Sequence, residues 1–265
     1  MPQSLKIETI VAPDTDALAA RAAQHFVELA EAAVAAQGRV RIAISGGSTP
    51  KAAFKLLADP ARPWRERMPW QKLELFWVDE RCVPPDDPDS NYRMAREAML
   101  DLVPLAPERV HRMEGELEPD AAAARYESLL RNAFRLEGAD TPRFDIIALG
   151  MGPDGHTASL FPHTAALGET GRLVVANHVQ NRDAWRVTLT WPVINQGASV
   201  FFLIGGADKA EILSRVFTGP RDTDTFPSQL IRPASDILTL ILDKAAAALL
   251  PATDGTGRGV FERNE

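Results

Sequence analysis

Apolar residues recur every three or four positions between residues 16 and 37, from Leu18 to Ala33. This spacing places them on one face of an α-helix. Gly38 follows directly, and glycine commonly ends a helix because it adopts left-handed backbone angles without strain. The pattern therefore predicts a helix over residues 16–37. His25 lies on this helix away from any motif, and we interpret it as a surface or boundary residue.

The rest of the chain alternates short β-rich runs with helical segments. The run VRIAIS ends in Gly46-Gly47, and Pro50 follows at the position typical of the first residue of a helix. The same order recurs, with predicted strands at residues 40–45, 73–78, 144–150, 186–190, 199–205 and 236–242. Strands separated by helices indicate a parallel sheet, and continuous apolar strands are buried on both faces. The sequence therefore predicts an α/β fold with an open, mostly parallel, Rossmann-like sheet and helices on both faces.

The chain length suits one large α/β domain, so we expect residues 1–265 to form a single sugar-phosphate-binding domain. Alanine runs at 121–124 and 245–248 favour helices. The segment after about residue 251, ATDGTGRGVFERNE, is polar and rich in glycine, which predicts a loosely held tail.

Composition narrows the classes of partner. The formal net charge is −7, so the diffuse basic surface that nucleic acid or an anionic membrane requires is missing. The start of the chain lacks a signal-peptide pattern and no stretch is long enough to span a membrane, so we expect a cytoplasmic protein. Cys82 is the only cysteine, which excludes an internal disulfide and a multi-cysteine metal site. An anionic substrate would have to be bound by local positive charge.

Three loops follow predicted strands, where ligands bind in open parallel sheets. The first contains Gly46, Gly47, Ser48 and Thr49. The two glycines let the backbone approach an anion, and the hydroxyl groups with the helix N-terminus supply donors. An ordinary helix cap explains the same residues equally well. Taken alone, this loop leaves a phosphate cradle and a simple cap as equal alternatives.

The second loop begins at Asp79 and continues through Arg81 to Tyr92. The planar guanidinium of Arg81 can bind a phosphate or a carboxylate, and Asp79 can orient a base or accept a hydrogen bond from a substrate hydroxyl. A surface ion pair is the alternative. A long polar loop without regular structure is typical of a functional site in a compact domain, which favours a role in binding.

The third loop, GMGPDGHTASLFP, runs from Gly150 to Pro162. Its glycines require a specific backbone path, and we expect them to place His156 at the start of a helix. The positive end of a helix would keep the imidazole neutral and able to accept a proton. His156 is therefore a candidate general base, with Asp154 in the preceding turn. A polar first-turn histidine and a simple turn aspartate are the alternative.

Together, these three loops resemble the 6-phosphogluconolactonase family, within the fold group that also contains glucosamine-6-phosphate deaminase and ribose-5-phosphate isomerase. SGGSTP, WVDERCVPPDDPDSNY and LGMGPDGHTASLFP resemble three family signatures, and RVTLTWPVIN and GGADKAEIL resemble two more. The resemblance spans about residues 40–240 and implies that Arg186 and Lys209 add positive charge to the substrate pocket. A lysine at a helix start opposes the helix dipole, so a bound anion would explain Lys209.

The resemblance implies hydrolysis of 6-phosphoglucono-1,5-lactone in the oxidative pentose phosphate pathway, with no cofactor and no metal. We expect His156 to deprotonate a water, and Asp79 or Asp154 to orient the imidazole or a hydroxyl. An aldose-ketose isomerase or amino-sugar phosphate deaminase on the same fold is one alternative, but the segment after His156 offers no acidic residue for it. A non-catalytic sugar-phosphate sensor is another, and the oligomeric state, monomer or small homo-oligomer, stays open.

Overall fold

The computed structural model of the chain describes residues 4–180 and 183–263. The strands, numbered in chain order, are β1 Leu5–Ala12, β2 Val40–Ile44, β3 Leu73–Trp77, β4 Asp79–Arg81, β5 Val110–His111, β6 Ile146–Leu149, β7 Val174–Val179, β8 Ala184–Leu189, β9 Ser199–Ile204, β10 Ile237–Asp243 and β11 Arg258–Arg263. The α-helices are α1 Thr15–Gln37, α2 Ser48–Ala58, α3 Pro63–Arg67, α4 Asn91–Ala98, α5 Pro119–Phe134, α6 Trp191–Asn195 and α7 Ala210–Thr218. Short 3₁₀ turns lie between several of them.

The main sheet confirms the predicted fold class. Within the described residues its strand order is β11-β1-β10-β9-β6-β2-β3-β5, and every neighbouring pair runs parallel except β1 with β11. Its central strands are apolar along their length, as β6 and β9 show, because strands covered on both faces have no side open to water.

Helix α1 agrees with its predicted bounds. Asp14 caps the helix by accepting a hydrogen bond from the backbone N–H of Ala17, and Gly38 ends it in the left-handed conformation at φ 77°. Leu18 and Phe26 on its apolar face are buried in the core. Although α1 has 23 residues, neither it nor any other helix in the described ranges is long and apolar enough to cross a membrane.

The chain reverses its direction of winding between two neighbouring strands, β2 and β6. From β2 the connections lead to β3 and then β5 on one side, whereas from β6 they lead to β9 and β10 on the other. Since crossovers between parallel strands are right-handed, this reversal places α2 and α7 on opposite faces of the sheet. A crevice opens beyond the carboxyl ends of strands at such a point, and it is where open α/β sheets bind ligands.

The expectation for residues 186–190 was wrong in one respect. They form part of β8, as predicted, but β8 lies in a separate antiparallel sheet of order β4-β8-β7. Val78 joins the two sheets, because its N–H donates to Ile44 O of β2 and its C=O accepts from Leu189 N of β8. The small sheet is thereby fixed beside the carboxyl end of β2.

The end of the chain also differs from its prediction. Instead of a loosely held tail, residues 258–263 form β11, which pairs with β1 along its outer edge. The sequence did not predict β1. Without β11, the outer edge of β1 would be unpaired. Phe261 packs against the core from this strand. Residues 264 and 265 of the predicted tail lie outside the described residues.

Two smaller differences concern helix starts and lengths. Pro50 is the third residue of α2, whose N-cap is Gly47, and not the first. The alanine run at 121–124 lies in α5 as expected, whereas the run at 245–248 falls at a 3₁₀ turn at Ala246–Leu249. The backbone there is turned by Asp243, which accepts a hydrogen bond from Ala246 N.

His25 provides a test of the packing of α1. Its ring contacts Phe201 of β9, and burial together with the charge of Arg21 lowers its pKa from 6.5 to about 4. A histidine with a lowered folded pKa contributes stability above its unfolded pKa and loses it as the pH falls. We expect the Tm of His25→Gln, measured by thermal melts, to fall less than the Tm of the parent when the pH is lowered from 6.5 to 4. An equal loss in both proteins would contradict this burial.

Candidate active site

A pocket of about 380 Å³ lies at the carboxyl ends of the central strands, where β2 and β6 adjoin. It contains every predicted site residue except Asp154, namely Gly46, Gly47, Ser48, Thr49, Asp79, Arg81, His156, Arg186 and Lys209. The three loops that the sequence singled out therefore meet at one place. Parallel pairing is the reason, since it directs the ends of β2 and β6 to the same edge of the sheet.

The N-terminus of α2 opens onto this pocket. Its N-cap is Gly47, at φ 112°, and no side chain in the described ranges caps the helix. The N–H groups of Ser48 and Thr49 at the first two helical positions are the donors, because Pro50 at the third has none. The side chains of Ser48 and Thr49 also line the pocket. An uncapped helix start with two hydroxyl groups beside it suits an anion.

Arg81 and Arg186 lie directly opposite each other on neighbouring antiparallel strands β4 and β8. Both line the pocket. Like charges in this relation destabilise a sheet, so the arrangement favours an anion that both guanidinium groups can bind. Lys209 adds a third cation at the residue before α7, 3.6 Å from the exposed carboxylate of Asp208. In a chain with a net charge of −7, this is a local concentration of positive charge.

The loop after β6 holds His156 over the backbone of Gly152. A Cβ on Gly152 would lie only 2.0 Å from Cε1 and Nδ1 of the imidazole, so only glycine permits this approach. Gly152 N donates to His156 O, and the ring stacks on Phe161 with centroids 4.0 Å apart. The turn is completed at Gly155, which has φ +78°.

The prediction that His156 starts a helix was wrong. Residues 150–164 form turns and no helix, so no helix dipole acts on the imidazole. Leu160 and Phe161 later in this loop are buried. What replaces the dipole is a side chain, Asp154, whose Oδ1 lies within hydrogen-bonding contact of His156 Nδ1.

This contact affects the acidity of Asp154. Burial alone would raise the pKa of Asp154, but the hydrogen bond and charge of His156 outweigh it and hold the pKa below its usual value. The stabilisation from this contact is therefore present above the unfolded pKa of the carboxyl group and is lost as the pH falls. In a neutral imidazole, a carboxylate at Nδ1 favours the tautomer with the proton on that nitrogen, which leaves Nε2 with a free electron pair.

Asp79 occupies a different part of the pocket. It is buried, with only 6% of its surface exposed, and its Oδ2 accepts a hydrogen bond from Ser159 Oγ at 2.7 Å. Its second carboxyl oxygen and its carbonyl oxygen both face Asn91 Nδ2. Of the two carboxylates that the sequence left open as the partner of His156, Asp154 is the one in contact with it.

Several pocket residues were not identified from the sequence as such. They are Asn91, Ser159 and Phe161. Ser159 and Phe161 stand within the third loop, so their place in that loop was an available signal. Asn91 stands within the second loop in the same way, but only the fold brings the start of α4 against the loop after β2.

The single thiol, Cys82, and groupings of possible metal ligands are the remaining candidates for chemistry in the described residues. Residues 4–180 and 183–263 contain no group of three or more His, Cys, Asp or Glu side chains arranged to hold a metal ion. Burial raises the pKa of Cys82 to about 11, despite the nearby charge of Arg186, so the thiol stays protonated at neutral pH. Its role is therefore in packing.

Comparison with known proteins gives a consistent result. Residues 13–240 match the family described as glucosamine-6-phosphate isomerases/6-phosphogluconolactonase. A 6-phosphogluconolactonase from Nostoc sp. is 43% identical over 91% of this chain and 97% of the relative, and one from Synechocystis sp. is 42% identical over 83% and 88%. The solved structure of 6-phosphogluconolactonase from Trypanosoma brucei has a TM-score of 0.78 at 30% identity, covering 92% of this chain and 98% of that one.

The contact between Asp154 and His156 can be tested by substitution. Asp154→Asn keeps the size of the side chain, but an amide can donate to Nδ1 and so stabilise the wrong tautomer of the imidazole. We expect kcat to fall roughly 10²-fold. Asp224→Asn is the matched control, since it removes the carboxylate from the exposed His163–Asp224 pair outside the pocket. Unchanged kcat in Asp154→Asn would mean that the carboxylate does not orient the base.

Proposed function

This chain belongs to the family of glucosamine-6-phosphate isomerases and 6-phosphogluconolactonases, and we propose that it performs lactone hydrolysis with His156 as the general base. Its activity is that of a 6-phosphogluconolactonase, which converts 6-phosphogluconolactone and water to 6-phosphogluconate in the oxidative pentose phosphate pathway.

One observation carries the assignment of roles. A histidine backed by a carboxylate lines the same pocket as Arg81, Arg186 and Lys209. The substrate has two distinct chemical groups, a phosphate dianion to be bound at one end and an activated ester to be hydrolysed at the other. A cluster of cations and a separate base are the two matching features on the protein.

We assign the phosphate to the cationic side of the pocket. Arg81 and Arg186 bind it from the small sheet, and the start of α2 contributes Ser48 and Thr49. Lys209 contributes from the loop after β9. The glycines Gly46 and Gly47 allow the backbone to approach the bound anion. Desolvated phosphate–arginine contacts of this kind fix orientation as well as affinity.

The lactone then lies over the loop that bears His156. Nε2 removes a proton from water, the hydroxide adds to C1, and the tetrahedral intermediate collapses by breaking the bond between C1 and the ring oxygen. His156 returns the proton to that oxygen, so the imidazole is regenerated. The imidazolium formed in the first step is stabilised by Asp154. An activated ester needs only a base and good positioning, which together supply the required acceleration.

The alternatives are weaker on the structure as well. An isomerase or deaminase mechanism needs a second acid–base group for proton transfer at C2, and the residues after His156 in the pocket are Ala158, Ser159 and Phe161. Two acidic residues among the described residues line the pocket: Asp79, which is hydrogen-bonded to Ser159, and Asp208, whose exposed carboxylate lies 3.6 Å from Lys209. Neither belongs to the loop that bears His156. A metal-free and cofactor-free reaction, a cytoplasmic location and the oligomeric state stay predictions.

His156→Asn tests the base directly. Asparagine keeps a polar side chain in the turn, but it removes the basic nitrogen. We expect kcat on freshly prepared 6-phosphogluconolactone to fall about 10²-fold or more, with KM little changed. The acidic limb of the pH profile should also disappear, since it reports protonation of His156.

The control for this experiment is His163→Asn, which changes an exposed histidine of the neighbouring surface. It should leave both the rate and the pH profile intact. A folded His156→Asn protein with parental turnover would assign the base to a carboxylate and would revive the isomerase-like mechanism.

Arg81→Ala tests the phosphate site. Removing one of two opposed guanidinium groups should raise KM for 6-phosphogluconolactone by about tenfold to a hundredfold, because a charge-assisted contact is worth roughly 1.5–3 kcal/mol. Unphosphorylated gluconolactone should be affected far less. Arg93→Ala is the control, since Arg93 pairs with Glu97 on α4 outside the pocket. Undiminished preference for the phosphorylated lactone in Arg81→Ala would place the phosphate elsewhere.

A further inference from the structure

Asn91 lies where three parts of the pocket meet. It is the first residue of α4, only 2% of its surface is exposed, and it lines the pocket. Because an asparagine amide is costly to bury without partners, its contacts identify what it does there.

One side of the Asn91 amide is directed to Asp79. Nδ2 donates to the carbonyl oxygen of Asp79 at 3.0 Å and lies 3.5 Å from Oδ1 of its carboxylate. The other carboxylate oxygen of Asp79 accepts from Ser159 at 2.7 Å. The carboxylate of Asp79 is thus held from two sides, by α4 and by the loop after β6.

The other side of the amide lies against the glycine loop after β2. A Cβ on Gly46 would be 1.8 Å from Asn91 Oδ1 and 2.5 Å from its Cγ. The asparagine amide therefore fills the space that a side chain at Gly46 would need, and neither residue can be enlarged without moving the other.

We propose that Asn91 is a positioning residue, whose amide holds the Gly46 loop of the phosphate cradle and the Asp79 carboxylate in a fixed relation. The proposal rests on the proposed function, because it concerns the same pocket. The phosphate and the sugar ring of the substrate are joined covalently. The cradle that binds the phosphate and the Asp79 carboxylate, which can accept a hydrogen bond from a substrate hydroxyl, must therefore keep a set separation. A small displacement between them lowers the rate steeply.

The start of α4 is held by other groups. Ser90 Oγ accepts from Arg93 N and caps the helix, and the buried carboxylate of Glu80 accepts from the N–H groups of Asn91 and Tyr92. These bonds do not use the Asn91 side chain. Helix stability and pocket geometry can consequently be separated by substitution.

The first experiment compares Asn91→Ala with Ser90→Ala. Asn91→Ala should lower kcat/KM for 6-phosphogluconolactone by about tenfold to a hundredfold and reduce its preference over gluconolactone. Ser90→Ala removes the helix cap but lies outside the pocket lining, so it should lower Tm and leave KM and kcat unchanged. Parental kinetics in Asn91→Ala, or an equal kinetic loss in Ser90→Ala at a matched fall in Tm, would overturn the proposal.

The second experiment uses Asn91→Asp, which keeps the shape of the side chain. The charged groups nearest this position are Asp79 and Glu80 of β4 and Arg81 at the end of that strand. The titratable and charged groups that share the pocket from other elements are His156, Arg186, Asp208 and Lys209. As a carboxylate, the new side chain repels Asp79. As a protonated acid, it can donate to Asp79 O as the amide does.

The ratio of kcat/KM in Asn91→Asp to that of the parent should therefore rise as the pH falls from about 8 to about 5, because burial and Asp79 favour the protonated form. Dividing by the parental kcat/KM at each pH removes the pH dependence that both proteins owe to His156. A ratio that does not change with pH would show that the donated hydrogen bond is not what matters.

A double-mutant cycle tests the contact with the glycine loop. Gly46→Ala should be severely impaired in the parent and much less so in the Asn91→Ala background, where the space of the amide is free. Additive effects would contradict the contact. If the proposed function itself were wrong, the parent would not turn over 6-phosphogluconolactone at all. If only the role of Asn91 were wrong, the parent would be active and the Asn91 variants would have the same kinetics as the parent.

Discussion

The site depends on one topological constraint, the position of β2 beside β6 with connections that leave in opposite directions. No helix can cross the sheet edge at that point, so the carboxyl ends of these strands stay open to solvent. The loop after β2 leads into α2, whose N-cap is Gly47, and the loop after β6 carries His156. Both loops reach one crevice because their strands are parallel neighbours.

The cationic half of the pocket requires a second constraint, which is the attachment of the small antiparallel sheet. Val78 hydrogen-bonds to β2 on one side and to β8 on the other, so β4 and β8 stand at the edge of the crevice. Their register places Arg81 opposite Arg186. Two cations directly opposite each other on neighbouring strands repel, and a bound anion would relieve this repulsion. The way the two sheets join therefore creates a position suited to an anion.

His156 is held by local geometry instead of a helix start. Gly152 allows the imidazole to lie on the backbone, Phe161 covers its face, and Asp154 fixes its Nδ1 side. Asp79 and Asn91 form a separate polar group that contacts the glycine loop. The pocket therefore combines two preorganised parts, and the distance between them is set by tightly packed side chains that have little freedom to adjust.

The sequence by itself determined the alternation of strands and helices, the mostly parallel sheet and the three loops that form the pocket, because hydrophobic period, glycine and proline act over a few residues. It could not assign β8 to a second sheet, pair β11 with β1, or show that His156 lies in a turn. Those outcomes depend on contacts between residues far apart in the chain. The choice of Asp154 over Asp79 as partner of His156, and the place of Asn91 against Gly46, were likewise decided only when packing brought the loops together.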